Sequence, residues 1–252
     1  MNRDVHISAT IVLFHEEAET LRETITSFLE IPLKKTLYLL DNSATDALRD
    51  ISNHPDVIYI FNKKNKGFGA ANNQVISKID AVSTHHLVLN PDISFSPSVM
   101  ETLLAVLEKD SSLAMVAPKV TYPDGRLQYT CRKHPTVLGM FLRRTRIFQP
   151  YVKKRMYQEE QLAQFFYPEF IHGCFMLFKT LDFVQIEGFD PRYFLYMEDA
   201  DICRKIAQAG KEIGYVPSAS VVHVHRKGSA KKVHLLYHHI NSAIKYFNKW
   251  GF

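Results

Sequence analysis

The chain has 252 residues, 46% of them hydrophobic and 23% charged, which is ordinary for a globular protein and room for one large α/β domain or two small ones. No stretch approaches the run of about 18 apolar residues that a spanning helix needs, and the apolar N-terminal run is too short and strand-like for a signal peptide. The net charge of +5 gathers in two runs, Arg143, Arg144, Arg146, Lys153, Lys154 and Arg155, then Lys227, Lys231 and Lys232. Such runs are usually solvated faces, and otherwise attract phosphates; no zinc-finger, RRM or helix-turn-helix pattern accompanies them, so nucleic acid is not expected as a partner. Cys131, Cys174 and Cys203 are scattered without a CxxC, against a disulfide framework or zinc site and in favour of a reducing cytoplasm.

In chain order, residues 7–14 (ISATIVLF) read as a buried strand, and a helix follows with Leu21, Ile25, Phe28 and Leu29 on one face. The next apolar run, 36–40, ends in Asp41-Asn42-Ser43. A third, 57–61, runs into a Gly-containing turn, NKGFGAANN (65–73), and a helix over 70–79. The fourth strand, 86–90, breaks at Asn90-Pro91-Asp92, and a helix opens with Ser96 as N-cap and Pro97 in its first turn. Strand alternating with helix at this spacing predicts βαβ units, a mostly parallel sheet and strand ends lining one crevice. Past residue 112 the rhythm changes. A strand at 112–120 precedes a turn at Pro123-Asp124-Gly125, and 131–166 has no clean periodicity. Its basic, aromatic core, 141–155, fits a loop, an amphipathic membrane-surface segment or an acceptor lid. Strands follow near 170–179, 213–216 and 221–225, with a helix over 200–209 stopped by Gly210. The tail is an amphipathic helix carrying Leu236, Ile240, Ile244 and Phe247. No linker or repeat interrupts the chain, so one domain is expected.

Acids fall at strand ends or turns three times: Asp41, Asp92 and the Glu198, Asp199, Asp201 cluster. Any one of them is more often a turn former or a helix-start acid. Together they outline a reader of a base, a metal ligand and a proton acceptor. A single carboxylate past a strand end suits a Mg2+- or Mn2+-bridged diphosphate, and crowded carboxylates raise one another's pKa toward that of a usable general base. The glycine turn at 65–73 fits either an anion facing its backbone N–H groups or close packing of small residues. His223 and His225 alternate with Val, so they share a strand face and could complete a metal or diphosphate wall.

The ordered set DNS, NKGFGAANN, LVLNPD, HGCFMLFK, GFDPRYFLYMEDADICRKIAQAG and VVHVHRKGS, spread over about residues 5–230, closely resembles the family-2 inverting glycosyltransferases of GT-A fold. Within them it is most similar to bacterial rhamnosyltransferase-like members that build surface polysaccharides. The resemblance implies a single GT-A domain over 1–252, with a Rossmann-like sheet flanked by helices, a nucleotide-sugar-binding half at 1–120 and an acceptor and catalytic half at 121–252. It also implies a divalent cation, Mg2+ or Mn2+, a dTDP-, UDP- or GDP-sugar donor and a glycan or polyprenyl-diphosphate-linked acceptor. The expected seat is the cytoplasm, with a peripheral membrane contact open.

At matching positions, Asp41 would contact the nucleobase, and Asn65, Gly67 and Asn72 would line the donor pocket. Asn90 stands where the family has the first acid of its DxD motif, leaving Asp92 as metal ligand. Asp199 would be the catalytic base, supported by Glu198 and Asp201. His223 or His225 would approach the metal, and Lys227 the leaving group. Two alternatives use the same residues: a non-catalytic nucleotide-sugar- or glycan-binding scaffold, which the Asn at position 90 suggests and the intact Glu198-Asp199 pair opposes, and a sugar-phosphate nucleotidyltransferase, which the acidic LFHEEAE at 13–19 opposes.

Overall fold

The computed structural model describes residues 5–51, 53–145, 150, 155–157, 159–224 and 233–251. The first half is wound as the periodicity predicts. Strands β1 (His6–Leu13), β2 (Lys34–Asp41), β3 (Val57–Phe61) and β4 (His85–Leu89) lie parallel in the order β3-β2-β1-β4. Helix α1 (Ala18–Leu29) follows β1 and buries Leu21, Ile25 and Phe28, each such side chain contributing about 1.5–3 kcal/mol on burial. The helix expected over 70–79 is broken into α2 (Phe68–Asn72), a 3-10 turn (Asn73–Val75) and α3 (Ile76–Ile79). At the break, the Asn73 side chain exchanges hydrogen bonds with the Phe189 backbone, donating to its carbonyl at 2.6 Å and accepting from its N–H at 2.9 Å.

Beyond β4 the sheet is mixed, not mostly parallel. A short strand β5 (Ile93–Ser94) leads into α4 (Pro97–Lys109). The Ser96 hydroxyl meets that of Ser98 at 2.8 Å and caps no backbone N–H. Strand β6 (Leu113–Thr121) turns into the short β7 (Leu127–Gln128), and β8 (Cys131–Arg132) pairs with β9 (Phe170–Ile171). Strand β10 (Phe175–Lys179) inserts antiparallel between β4 and β6, and β11 (Glu212–His223) runs parallel to β6 and antiparallel to β5. The two strands expected near 213–216 and 221–225 are one strand with an irregularity between Val216 and Ser220.

Between these strands stand helices α5 (Val137–Thr145), α6 (Glu159–Leu162), α7 (Thr180–Gln185) and α8 (Glu198–Gln208). Helix α9 (Val233–Trp250) docks back on the body through buried Tyr246 and Phe247. Apolar clusters cover both faces of the sheet, α1 and α4 packing on one and α2, α7, α8 and α9 on the other. The carboxyl ends of β1, β2, β4 and β11 and the start of β10 therefore meet at one end of the sheet.

Candidate active site

One side of the crevice, that of the expected cation ligand, is built on the Asn90-Pro91-Asp92 turn between β4 and β5. Thr24 of α1 clamps it from below: its hydroxyl donates to the Pro91 carbonyl at 2.9 Å and accepts the Ile93 N–H at 3.1 Å. The Asn90 N–H donates to the Cys174 carbonyl at 2.9 Å. Held this way, Asp92 faces His223 at the end of β11, with Oδ1 3.1 Å from Nε2, while the Val224 N–H donates to the Asp92 carbonyl. Two cis ligands about 2.1 Å from a Mg2+-like ion stand about 3.0 Å apart, so this pair fits a divalent cation. Among the described residues no group of three or more His, Cys, Asp or Glu converges. Two protein ligands suffice where phosphate oxygens supply the others.

The other side, that of the expected base, is built on the first turn of α8. Tyr196 and Met197 both adopt left-handed φ, 69° and 70°, a sparsely populated backbone that costs of order 1–3 kcal/mol per residue. The turn they force sets Asp199 against the start of β10. Its Oδ1 accepts the Ala200 N–H at 2.8 Å, and its Oδ2 lies 3.1 Å from His172 Nδ1 and 3.4 Å from the Gly173 nitrogen. The Asp199 side chain keeps 19% of its surface exposed, so it is reachable. Cys174 joins the two sides. Burial first, and then the charges of Asp92 and Asp199, push its thiol up to about 12.

Glu198 is the opposite case. It is buried, and its Oε2 finds no partner among the described residues. Burial, and next the Asp199 charge, push its carboxyl up to about 8 from the usual 4.5. Between those two pH values the unfolded chain releases a proton that the native state keeps, so stability falls as pH rises through the window. Glu198→Gln, with nothing to titrate there, should flatten that fall. Urea midpoints of variant and wild type at pH 5 and pH 8 check it, and equal losses in both would refute it.

The remaining residues divide sharply. Asp41 lies fully buried, its carboxylate accepting the Ser43 N–H at 2.8 Å and the Tyr59 hydroxyl, so it holds the Asn42-Ser43 turn and does not project into the crevice. Asn65 accepts the Gly67 N–H at 2.9 Å and lies 3.3 Å from Asn42 Nδ2. Gly67 has φ +84°, and a Cβ there would stand 2.4 Å from the Phe194 carbonyl oxygen. Of the two readings of the glycine turn, packing is the one realised, for the Phe68 N–H also bonds Phe194. Asn72 is not brought to the crevice: buried, it accepts from the Thr10 hydroxyl at 2.5 Å and donates to the Phe68 carbonyl at 3.0 Å. Asp201 is also turned away, fully buried against Tyr193, Lys249 and Trp250. His225 and Lys227 lie outside the described residues. Sequence reasoning missed His172, Thr24 and the Asn42 bracket, in which Asn62 donates to Asn42 at 2.9 Å. His172 had a signal, since it opens the HGC run, and so had Asn42, which lies in the Asp41-Asn42-Ser43 turn; Thr24 had none.

The model of glycosyl transferase family 2 matches residues 9–182, more than half of the chain. The chain belongs to that family. A second model, the N-terminal domain of galactosyltransferase, matches residues 156–233. This family-2 glycosyltransferase is 30% identical over 230 residues to an N-acetylglucosaminyl-diphospho-decaprenol L-rhamnosyltransferase of Mycobacterium tuberculosis, covering 83% of this chain and 73% of that one. It is 24% identical to the rhamnosyltransferase WbbL of Escherichia coli K12, covering 84% and 81%. Solved structures agree on a GT-A fold. GalNAc-T7 with UDP, GalNAc and Mn2+ superposes with a TM-score of 0.69 at 17% identity, over 91% of this chain, which spans 46% of that one. The mannosyltransferase PcManGT of Pyrobaculum calidifontis, with GDP-Man and Mn2+, gives 0.62 at 17% identity, over 95% of this chain and 64% of that one.

Proposed function

We propose that this glycosyltransferase moves a sugar, best matched by L-rhamnose from a dTDP donor, onto a hydroxyl of a polyprenyl-diphosphate-linked glycan during cell-surface polysaccharide synthesis. The observation that carries this reading is that Asp199 meets the Gly173 nitrogen while the Asn90–Asp92 turn, with its Asp92–His223 pair, hydrogen-bonds the adjoining Cys174 carbonyl. The names of the two relatives support rhamnose as the sugar, and that of the Mycobacterium tuberculosis protein supports a polyprenyl-diphosphate-linked acceptor.

In this reading Asp92 and His223 would hold a divalent cation, and that cation would supply positive charge against the departing nucleoside diphosphate. Asp199 accepts the proton of the acceptor hydroxyl. The oxygen forms its bond to the anomeric carbon as the bond from that carbon to the phosphate oxygen breaks, the electron pair leaving with the nucleotide. Attack from the face opposite the leaving group inverts configuration in one step. The Ala200 and Gly173 N–H groups and His172 fix the carboxylate's orientation, and a carboxylate's remaining lone pairs can receive the proton. In this reading residues 1–120 supply the nucleotide-sugar-binding half and 121–252 the acceptor and catalytic half, with His223 reaching back to Asp92.

On α5, Val137, Leu138 and Phe141 are 47%, 54% and 61% exposed, and the helix runs on into Arg143 and Arg144. An apolar helix surface in a basic stretch of sequence suits the headgroup layer of an anionic bilayer. It supports a lipid-linked acceptor met at the cytoplasmic face of the membrane. No helix among the described residues is long and apolar enough to cross one.

A thermal-shift screen of dTDP, UDP, GDP and their sugars, with and without Mn2+, tests the reading, because a ligand bound only by the native state raises its stability by mass action. A Mn2+-dependent shift with dTDP ligands alone is expected, and at 100 times Kd it corresponds to about 2.7 kcal/mol. Preference for UDP or GDP would discard rhamnose and keep the enzyme class. No shift with any of them would favour a scaffold that binds other partners.

A further inference from the structure

Gln128 lies on β7, the outer strand of the hairpin after β6, and its carboxamide is gripped at three points. Nε2 donates to the His223 carbonyl at 2.9 Å and, more weakly, to the Thr121 carbonyl at 3.4 Å, while Oε1 lies 3.0 Å from His223 Nδ1. Backbone carbonyls only accept, so the amide nitrogen must face them. A flipped amide would set its oxygen against two others. The orientation of Gln128 is therefore determined by main-chain atoms alone, and Oε1 is what the imidazole meets.

An amide oxygen also only accepts, which requires a hydrogen on His223 Nδ1. A neutral ring then carries its lone pair on Nε2, and Nε2 stands 3.1 Å from Asp92 Oδ1. In that form two acceptors face each other at that distance. A positive centre between them, either a second ring proton or a divalent cation in its place, satisfies both. A glutamine that merely braced the hairpin would need only its two bonds to carbonyls, so the third contact calls for its own explanation.

We infer that Gln128 is a positioning residue: it holds His223 in the Nδ1–H tautomer and aims Nε2 at the cation position shared with Asp92. The inference rests on the cation-binding reading of the Asp92–His223 pair. Nothing in the sequence marks Gln128, because its role depends on a partner 95 positions away. Removing such an outer partner of a metal-ligating histidine typically lowers metal affinity about 10–100-fold.

The test is Mn2+ binding to the full chain with saturating dTDP, read by the EPR signal of free Mn2+, together with 15N spectra of the His223 ring in metal-free protein. Gln128→Ala should bind Mn2+ about 10–100-fold more weakly, and its His223 should lose the single Nδ1–H signature for a mixture of tautomers. Gln128→Met keeps the length and volume of the side chain but offers Nδ1 no amide oxygen, so it should show the same loss; it decides the matter if the alanine variant does not fold. Wild-type affinity and an unchanged tautomer in Gln128→Ala or in Gln128→Met would overturn the inference while leaving the cation site standing. A wild-type protein that takes up no Mn2+ would overturn both.

Discussion

Asp199→Asn should give a folded protein that binds nucleotide as the wild type does but turns over about 10²–10⁴-fold more slowly, the usual contribution of a positioned general base. The amide keeps the size of the carboxylate and an oxygen to accept the Ala200 N–H, so the first turn of α8 is retained. It has no basicity with which to take the acceptor's proton. The loss should therefore fall on kcat, with donor affinity and the Mn2+-dependent thermal shift unchanged. A variant within about threefold of wild-type kcat would remove Asp199 from the mechanism, since that lies far below any general-base effect. Reduced nucleotide binding together with reduced kcat would instead move the residue to the donor side.

Asp201→Ala should do the reverse. Asp201 is fully buried, with Oδ1 2.7 Å from Trp250 Nε1, 2.8 Å from Lys249 Nζ and 3.2 Å from the Tyr193 hydroxyl. Removing one partner of a buried, hydrogen-bonded charge pair costs about 3–5 kcal/mol. Lys249 keeps Asp190 at 3.0 Å, so the lower end is expected. In a chain of this size that corresponds to a fall in Tm on the order of 10 °C. At temperatures where the variant is folded, kcat should remain close to the wild type. A variant with unchanged Tm and lost activity would return Asp201 to the site.

These two aspartates, two positions apart, show what was legible and why. The first four strands could be read because apolar runs ended in turn residues at βαβ spacing, and the same turns exposed Asp92 as a strand-end carboxylate. The direction of β10 could not be read, since FMLFK is buried on both faces and reads alike whichever way it runs. Nor could the break between α2 and α3, which depends on Phe189 far along the chain. Asp199 and Asp201 look equally catalytic as letters. What separates them is α9, whose Lys249 and Trp250 claim the second and leave the first to the crevice. Asn72 was misplaced for the same reason: Thr10, its partner, is adjacent only in the fold. Helix α5 was hidden in a stretch with no clean periodicity, because its Val137, Leu138 and Phe141 remain exposed and leave no buried stripe to find.

The Asp92–His223 pair has a consequence for how the protein matures. Asp92 lies beside β5, and His223 is the last residue of β11, which pairs with β5 only after nearly all of the sheet has been made. Chains are synthesised from the N-terminus, and early segments fold first. A nascent chain ending near residue 210 already carries the donor-side strands and the helix that bears Asp199, yet it lacks half of the cation pair. If the pair holds the divalent ion as proposed, affinity for that ion would arise only when the final strand closes the sheet, so a nascent chain would not sequester metal before it is complete.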